Sequence, residues 1–506
     1  MICSEGERKR LGIDQILEAC VCRSPQGRAL KEQQEFYGPS DRDALRTEFR
    51  AIADIRASLS RLAPEWRSIE SVLGRFRNIG ATIRGIKKGR LVDESELFEL
   101  KRCFSLIRQL CDSQEALAAA DLRINPQDEA EALLNPPGTA TKGFHLYSAY
   151  SEELDSVRHR KQLLEARILK AQGEERQELL AERSLLVTEE QEEESKQIRR
   201  LTRELEKHMA LLDENLHAVA RLDFRLAKAR LAESWQAPLP EIADDHMPVQ
   251  ILKAWHPPVR KNLEAAGAEF TLQSISLAKG STVISGLNMG GKSVAIESFL
   301  ICLYLLQLAY FPPCEKISTP LFDYFVYMAE NPGRPLAGLS SFGMEAARLR
   351  EYFRLIERGR ALVVMDEPCR GTNPHEATAI VRAICRIFAS SDSCLLMATH
   401  YEVPAGAGIY HYQIRGLGDL SEKRAAQLAV SVTAPDETNN TACSIEDEDL
   451  EAVRRISQLM DYRLVKVEDE TAVPAGAIRI AELMGIDEEA LAVMRDAYEE
   501  LEDKEN

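Results

Sequence analysis

The stretch VISGLNMGGKSVAIESF, residues 283–299, joins an apolar run to a segment with helical periodicity. It contains Gly286, four further residues, and then Gly291, Lys292 and Ser293. In a Gly-x-x-x-x-Gly-Lys-Ser turn, backbone N–H groups and the helix N-terminus hold phosphates, and the lysine reaches the β and γ oxygens. The serine hydroxyl binds Mg²⁺. The apolar run STVIS, residues 281–285, supplies the preceding strand, so the sequence predicts a nucleotide site.

A second motif follows the apolar strand ALVVMD, which ends in Asp366 and is followed by Glu367. In proteins with this type of phosphate-binding turn, an aspartate here holds Mg²⁺ through water, and the adjacent glutamate orients or deprotonates the attacking water. A solvated turn after a buried strand is the simpler alternative. That alternative explains this motif alone, but it does not explain why several such motifs follow one another in order along the chain.

A third apolar strand, SCLLMATH, ends in His400. At the carboxyl end of a parallel strand a histidine faces the ligand crevice and could sense the γ-phosphate. Between the second and first motifs, AGLSSFGMEAARLREYF begins at residue 337 with a serine-rich turn that leads into a helix. Ser340 or Ser341 is the predicted N-cap, with Glu345 in the first turn. The same helix start could instead bind the nucleotide of a neighbouring subunit.

Residues 1–145 have helical periodicity, and a Pro/Gly-rich linker is predicted at residues 135–143. Residues 151–234 lack proline and have one glycine, Gly173. Two long helices hinged near Gly173 would suit this segment, and the seven-residue repeat of apolar residues in its later part predicts an antiparallel or dimeric coiled-coil arm. A continuous second helix would be ~90 Å long. His208 and Asn215 on its seam are interpreted as residues that set the helix register, with a ligand role as the alternative.

The composition limits the function. The 506-residue chain has 45% hydrophobic residues and a net charge of −17, which indicates a soluble protein without a surface dedicated to phosphate backbones. No secretory signal or membrane span is predicted, and a cytoplasmic location is expected. Eleven scattered cysteines favour reduced thiols over disulfides, and the Cys20–Cys22 pair is not interpreted as a zinc site.

Four stretches in this order resemble the ATPase domain of MutS proteins, an ABC-type P-loop class. They are GLNMGGKSV at 286–294, GLSSFGMEAARL at 338–349, VVMDEPCRGTNP at 363–374 and LLMATHY at 395–401. SPQGRALKEQQ near residue 24 looks like the start of the MutS lever core, the heptads look like the MutS clamp, and AGAIRIAELMGIDEEAL at 475–491 resembles the C-terminal dimerisation helices.

The resemblance implies ATP hydrolysis in a dimer with composite sites and Mg²⁺ as cofactor. Ser293 and Asp366 would bind Mg²⁺, Glu367 would act on water and His400 would sense the γ-phosphate. Ser340 would reach the partner's ATP, and Phe270 is the candidate that stacks on adenine, with a core aromatic as the alternative. The predicted phosphate-binding residues are Gly286, Leu287, Asn288, Met289, Gly290, Gly291, Lys292 and Ser293.

The chain also departs from mismatch-repair MutS, because no Phe-x-Glu wedge for DNA and no nuclease-like C-terminal domain is recognised. DEPCRGTNPHEATAI at 366–380 and MDYRLVKV at 460–467 are similar to a smaller subgroup, the MutS-like ATPases that reactivate adenosylcobalamin-dependent lysine 5,6-aminomutase or ornithine 4,5-aminomutase. A protein client, the aminomutase subunits, is therefore expected. A DNA-binding clamp in repair or recombination and a slow nucleotide-gated scaffold are the alternatives.

The predicted fold class is a multidomain protein with an all-α lever and coiled-coil arm, an α/β ABC-type P-loop ATPase domain and a C-terminal helical dimerisation tail. A homodimer or heterodimer is expected to form through the ATPase domain and C-terminal helices, with no membrane contact. The predicted segments are a lever at 1–145, an arm at 146–237, an ATPase domain at 238–435, and an acidic loop with a helical tail at 436–506.

Overall fold

The computed structural model describes residues 5–136, 146–286, 291–328, 341–403, 406–416, 460–467, 478, 481–482 and 486–505. A helical N-terminal region is followed by an α/β sheet domain. The chain divides into two compact units. The sheet unit comprises Met1–Ala19, Phe36–Phe49 and Ser234–Asn506, and the helical unit comprises Cys20–Glu35 and Arg50–Glu233.

The elements are numbered in chain order. The helices are α1 Glu5–Arg10, α2 Ile13–Ala19, α3 Pro25–Glu32, α4 Arg42–Ser58, α5 Ala63–Leu73, α6 Gly80–Lys87, α7 Glu94–Cys111, α8 Gln114–Ala119, α9 Asp128–Leu134, α10 Glu152–Ile168, α11 Gly173–Glu206, α12 Met209–Trp235, α13 Pro257–Ala265, α14 Lys292–Gln307, α15 Ser341–Ile356, α16 Pro374–Ala389 and α17 Glu488–Glu505. The strands are β1 Glu241–Ile242, β2 Val249–Ala254, β3 Gln273–Leu277, β4 Gly280–Ser285, β5 Lys316–Thr319, β6 Tyr324–Met328, β7 Ala361–Asp366, β8 Cys394–Ala398, β9 Ile409–Gly416 and β10 Asp461–Val467.

The main sheet of the sheet unit has six strands in the order β10-β9-β4-β8-β7-β6. All neighbouring pairs from β9 to β6 are parallel, and β10 is antiparallel to β9. The apolar runs of β4, β7 and β8 are almost entirely buried because helices cover parallel sheets on both faces. A smaller sheet has the order β1-β5-β2-β3. Strand β10 lies in the segment 436–506, which the sequence predicts to be an acidic loop and a helical tail.

Helix α14 starts at the phosphate-binding motif and continues into the most apolar run of the chain. Residues 295–307 in this helix are all buried, so the run is a core helix. No helix in the described part of the chain has both the length and the apolar character needed to cross a bilayer.

The helical unit contains the pair of helices α10 and α11, which pack on each other on either side of Gly173. A small apolar cluster lies between them, formed by Leu164, Ile168, Leu179 and Leu186. Gly173 has a φ of +61°, a left-handed conformation that glycine adopts without strain and that suits the turn between the helices.

The predicted continuous second helix of the arm is divided in two in the structure. Helix α11 ends at Glu206 and α12 begins at Met209. The carbonyl of His208 accepts a hydrogen bond from Gln127 Nε2 at 3.0 Å, and Asn215 exchanges hydrogen bonds with the backbone of Asn125 at 3.0 and 2.8 Å. Most of α12 is buried in the helical unit. Tertiary contacts that heptad spacing does not encode therefore determine where the helix breaks, and α12 is a core helix.

Candidate nucleotide site

Three strand ends meet at one edge of the main sheet. Strand β8 lies between β4 and β7, and Ala398 pairs in register with both Ile284 and Asp366. The backbone N–H of Glu367 donates to the carbonyl of Ala398 at 2.9 Å. The turn after β4, the Asp366–Glu367 pair and His400 therefore lie side by side at the carboxyl edge, where open α/β sheets bind ligands.

The phosphate-binding turn is described at its two ends. Gly286 has a φ of +141° and Gly291 a φ of +79°, both in the region that favours glycine. A Cβ on Gly291 would lie 3.0 Å from Cδ1 of Tyr462 in β10, so the backbone and that ring approach closely. Four of the predicted phosphate-binding residues lie outside the described residues: Leu287, Asn288, Met289 and Gly290.

Lys292 is the first residue of α14 and is only 3% exposed. Its Nζ donates to the carbonyl of Gly286 at 2.7 Å and lies 3.4 Å from Glu367 Oε1. Burial lowers the pKa of Lys292, and the negative charge of Glu367 opposes that shift. The structure thus directs the ammonium group back across the mouth of the turn, where phosphates would lie.

Asp366 ends β7 with a side chain that is almost fully buried. Neither carboxylate oxygen makes a hydrogen bond of regular geometry with a described residue. Burial raises the pKa of Asp366, and the neighbouring Ser293 hydroxyl and Arg10 guanidinium lower it in part. Arg10 Nη2, from helix α1, lies 3.8 Å from Asp366 Oδ2.

The residues Ser293 and Asp366 fit the hard, oxygen-preferring ion Mg²⁺. A buried carboxylate whose oxygens make no regular hydrogen bond to a described residue, beside a hydroxyl, provides the oxygen donors that Mg²⁺ prefers. Proteins commonly hold this ion with one or two carboxylates plus nucleotide phosphates. No group of three or more His, Cys, Asp or Glu side chains in the described ranges is arranged to hold a metal. Magnesium at this position would therefore need oxygens from a bound nucleotide or water.

Glu367 lies between two cations at the start of a strained turn. Its Oε1 is 3.4 Å from Lys292 Nζ and its Oε2 is 3.5 Å from Arg370 Nη1. The side chain is 8% exposed, and its φ of +47° is left-handed, which is uncommon for a residue with a Cβ. A backbone held in this conformation directs the carboxylate towards the ammonium group of Lys292.

His400 follows β8 in the same group of side chains. Its ring lies 4.2 Å from the ring of Tyr401, and its buried Nδ1 has no hydrogen-bond partner among the described residues. Burial lowers the pKa of His400, with Glu367 opposing the shift, so the imidazole is neutral at pH 7. A neutral imidazole with an unpartnered nitrogen can donate or accept a hydrogen bond.

The two remaining predicted site residues are placed differently. Phe270 is half-buried in the segment before β3, and its role in adenine stacking stays a prediction. Ser340 lies outside the described residues, directly before the start of α15 at Ser341.

A buried polar network under the site was not predicted from the sequence. Glu297, four residues after Ser293 on α14, accepts a hydrogen bond from the Tyr327 hydroxyl at 2.8 Å and lies 3.6 Å from Arg10 Nε. His256 Nε2 is 3.8 Å from the same carboxylate. The spacing of four from Ser293 is a signal for a shared helix face, but no local pattern pairs Arg10 or His256 with it.

A comparison with known protein families matches the segment that contains most of these side chains. Residues 282–407 match the family model described as MutS domain V. The chain is homologous to MutS, MutS2 and MSH proteins over part of its length. Every described site residue from Gly286 to His400 lies in the MutS domain V segment, whereas Arg10, His256 and Tyr462 lie outside it.

The similar proteins are much longer than the region that matches them. An Endonuclease MutS2 of Leuconostoc mesenteroides is 29% identical over 227 residues, which are 44% of this chain and 27% of that protein. A DNA mismatch repair protein MutS of an Exiguobacterium species is 28% identical over 204 residues, 40% of this chain and 24% of the relative. The DNA mismatch repair protein MSH2 of Saccharomyces cerevisiae is 25% identical over 277 residues, which are 53% of this chain and 26% of that protein. The match spans about a quarter of each relative.

Proposed function

We propose that this protein binds ATP with Mg²⁺ and hydrolyses it, and that its nucleotide state changes the arrangement of its helical parts. The observation that carries the proposal is the edge of the main sheet at which Lys292, Asp366 and Glu367 converge. Its location in a MutS domain V segment supports the same function.

The residues have distinct roles in this proposal. Lys292 would exchange its contacts with Gly286 and Glu367 for the β and γ phosphate oxygens. Mg²⁺, when bound by Ser293 and Asp366, supplies positive charge for the phosphoryl group as it is transferred. Glu367 would orient the attacking water, because its carboxylate is held next to the lysine by the turn. His400 would sense the γ-phosphate.

Three further residues complete the proposal. Asn288 would bind phosphate, Ser340 would contact a partner's ATP, and Phe270 would stack on adenine. A composite site requires a second copy of the ATPase domain, so a dimer through this domain and the C-terminal helices is proposed with it. The lever, arm, ATPase and tail segments would then transmit the nucleotide state as rigid bodies.

Two substitutions test the ATPase. Lys292→Ala should weaken the binding of a fluorescent ATP analogue at least ~100-fold, since both charge and phosphate contacts are lost. Glu367→Gln should retain binding and lower the rate of phosphate release by ~100-fold or more. Lys279→Ala, which removes an exposed lysine paired with Asp392, is the matched control. Hydrolysis at the parent rate by Glu367→Gln would show that Glu367 is not the base.

For the process that ATP drives, we propose the reactivation of an adenosylcobalamin-dependent aminomutase by release of damaged cobalamin. Support comes from the motifs at 366–380 and 460–467 and from the net charge of −17, which disfavours binding to phosphate backbones. The names of the relatives, an endonuclease and DNA mismatch repair proteins, favour a DNA-binding clamp as the second candidate.

A salt titration separates the two candidates. Binding of duplex and branched DNA is measured with and without ATP between ~50 and ~200 mM salt, and tight binding that falls steeply over this range would exclude the reactivator. The reactivator predicts ATP-dependent recovery of a cobalamin-inactivated aminomutase, with no recovery by Glu367→Gln. A slow nucleotide-gated scaffold would bind ATP and its partner equally well in the parent and in Glu367→Gln.

A further inference from the structure

Glu345, which the sequence predicts in the first helical turn, is a buried carboxylate in the second turn of α15, and the proposed reaction does not use it. It is 7% exposed, and its Oε2 accepts a hydrogen bond from the backbone N–H of Cys369 at 2.7 Å. The helix dipole stabilises acidic residues in the first turn, so it does not explain an acidic residue at this position. Nor does it explain burial, because a buried carboxylate is costly unless it is partnered, and here the partner belongs to the turn after β7.

The turn that Glu345 contacts is backbone-strained on both sides of Pro368. Glu367 has a φ of +47° and Cys369 a φ of +67°. Left-handed backbone costs an L-residue with a Cβ ~1–2 kcal/mol, so two such residues persist only where the surroundings hold them. The N–H of Glu367 is held by the carbonyl of Ala398 at 2.9 Å, and the N–H of Cys369 is held by Glu345.

The thiol of Cys369 does not explain this contact. Burial and the charge of Glu345 raise the pKa of Cys369 to about 11, so the thiol stays protonated at neutral pH. Cys369 contributes to the turn through its backbone: its N–H donates to Glu345, and its carbonyl accepts a hydrogen bond from the N–H of Thr372 at 3.3 Å.

We propose that Glu345 is a positioning residue that links the start of α15 to the orientation of the Glu367 carboxylate. The inference rests on the proposed ATP hydrolysis. Helix α15 begins one residue after Ser340, the predicted contact to a partner's nucleotide. A displacement of this helix start would pull on the N–H of Cys369 and, through the strained turn, move Glu367 relative to Lys292. Glu345 therefore acts on the hydrolytic step and not on nucleotide affinity.

The test compares three variants of the full chain. Glu345→Met keeps the side-chain length without an acceptor and should lower kcat ~10- to 100-fold, the loss expected when a reacting group is misplaced by about 1 Å, with the Kd for a fluorescent ATP analogue within about threefold of the parent. Glu345→Gln, whose amide oxygen still accepts the N–H of Cys369, should restore kcat to within about threefold of the parent. Glu351→Met, an exposed position in the same helix, is the matched control.

Hydrogen exchange of the segment 366–372 is a readout that does not depend on turnover. It should be faster in Glu345→Met than in the parent and unchanged in Glu345→Gln and Glu351→Met. Any one of three results would overturn the inference. They are hydrogen exchange in Glu345→Met at the parent rate, a kcat of Glu345→Met equal to that of the parent, and a kcat of Glu345→Gln as low as that of Glu345→Met. Lys292→Ala, measured in parallel, reports on the nucleotide site itself, so the two proposals fail separately.

Discussion

At the residue scale, the candidate site holds three charged side chains that are nearly inaccessible to water. Lys292, Asp366 and Glu367 are 3%, 2% and 8% exposed. Lys292 Nζ and Glu367 Oε1 lie 3.4 Å apart, and their opposite charges offset the free-energy cost of burying each group. The oxygens of Asp366, in contrast, make no regular hydrogen bond to a described residue. Burial of this carboxylate is a cost to folding that a ligand-binding role explains.

Asp366→Asn should therefore stabilise the protein and remove the dependence of nucleotide binding on Mg²⁺. The raised pKa of Asp366 means that its ionised form destabilises the fold as pH rises through that pKa, and a neutral amide removes this effect. We expect a gain of ~1–2 kcal/mol at pH 7, measured by thermal unfolding, and loss of Mg²⁺-enhanced nucleotide binding. Asp392→Asn, at a highly exposed position, should change neither quantity. If Asp366→Asn were less stable than the parent, Arg10 and Ser293 would fully offset the free-energy cost of burying the Asp366 carboxylate.

At the element scale, several helices are held by single buried polar groups. His256 is the N-cap of α13, with its Nδ1 facing the N–H of Val259 at 3.5 Å. Asp223 of α12 accepts hydrogen bonds from the backbone N–H of Arg23 at 3.0 Å and from the N–H and hydroxyl of Ser24, each at 2.6 Å. The His256 contact is local to α13, whereas the Asp223 contacts join α12 to the segment before α3, so each gives a separate prediction.

His256 should make the sheet unit sensitive to acid. Burial lowers the pKa of His256 to about 4. Because the unfolded chain binds a proton near pH 6.5 and the folded chain does not, stability is lost as the pH falls from about 6.5 to about 4, by about 3 kcal/mol in total. Protonation of Glu297, whose pKa is raised by burial, opposes part of this loss.

The measurement is the slope of the unfolding temperature against pH over that range. His256→Asn keeps a capping side chain and should flatten the slope, with Glu297→Gln as the variant that isolates the opposing carboxylate. An unchanged slope in His256→Asn would show that other groups carry the acid sensitivity.

Asp223 should be a major contributor to the stability of the helical unit. Asp223→Ala leaves three donors, two of them buried, without this acceptor and is expected to cost ~3 kcal/mol or more in free energy of unfolding, measured by urea denaturation. Asp213→Ala in the same helix removes a half-exposed pair with Lys87 and should cost less than about 1 kcal/mol. Equal losses in the two variants would contradict the role given to Asp223.

At the scale of the whole molecule, apolar burial is distributed unevenly. The main sheet has a large core that includes Val363, Met365, Val381 and Phe388. The α10–α11 pair has a cluster of four buried residues and surface ion pairs such as Arg183–Glu165. Such pairs contribute little individually, so the α10–α11 pair is expected to open at a lower free energy than the sheet core.

Native-state hydrogen exchange should show this difference directly. Residues 152–206 should exchange faster than β4, β7 and β8, and Leu186→Ala should accelerate the exchange of α10 and α11 further. Leu185→Ala, at a neighbouring position that is 72% exposed, is the control and should have no effect. Protection of the α10–α11 pair equal to that of β7 would refute the uneven distribution.

The features predicted correctly from sequence are those encoded by local patterns. The strands β4, β7 and β8 and the buried helix α14 follow from apolar runs bounded by turn residues. The positions of Lys292, Asp366 and His400 at one sheet edge follow from the rule that parallel strands point the same way. The break at His208 and the addition of β10 were missed, because heptad spacing and composition carry no information on the loop at Asn125 or on the partner strand β9.

The sequence by itself determined the glycine-rich turn after β4, the acidic strand end and the helical character of the N-terminal half, since glycine positions, charge and apolar periodicity act over a few residues. Only the tertiary structure decided that Arg10 stands beside Asp366, that Tyr462 lies against Gly291 and that Glu345 holds the turn after Glu367. The physical reason is that burial and pairing of these groups depend on residues brought together from distant parts of the chain, and no local pattern records those contacts.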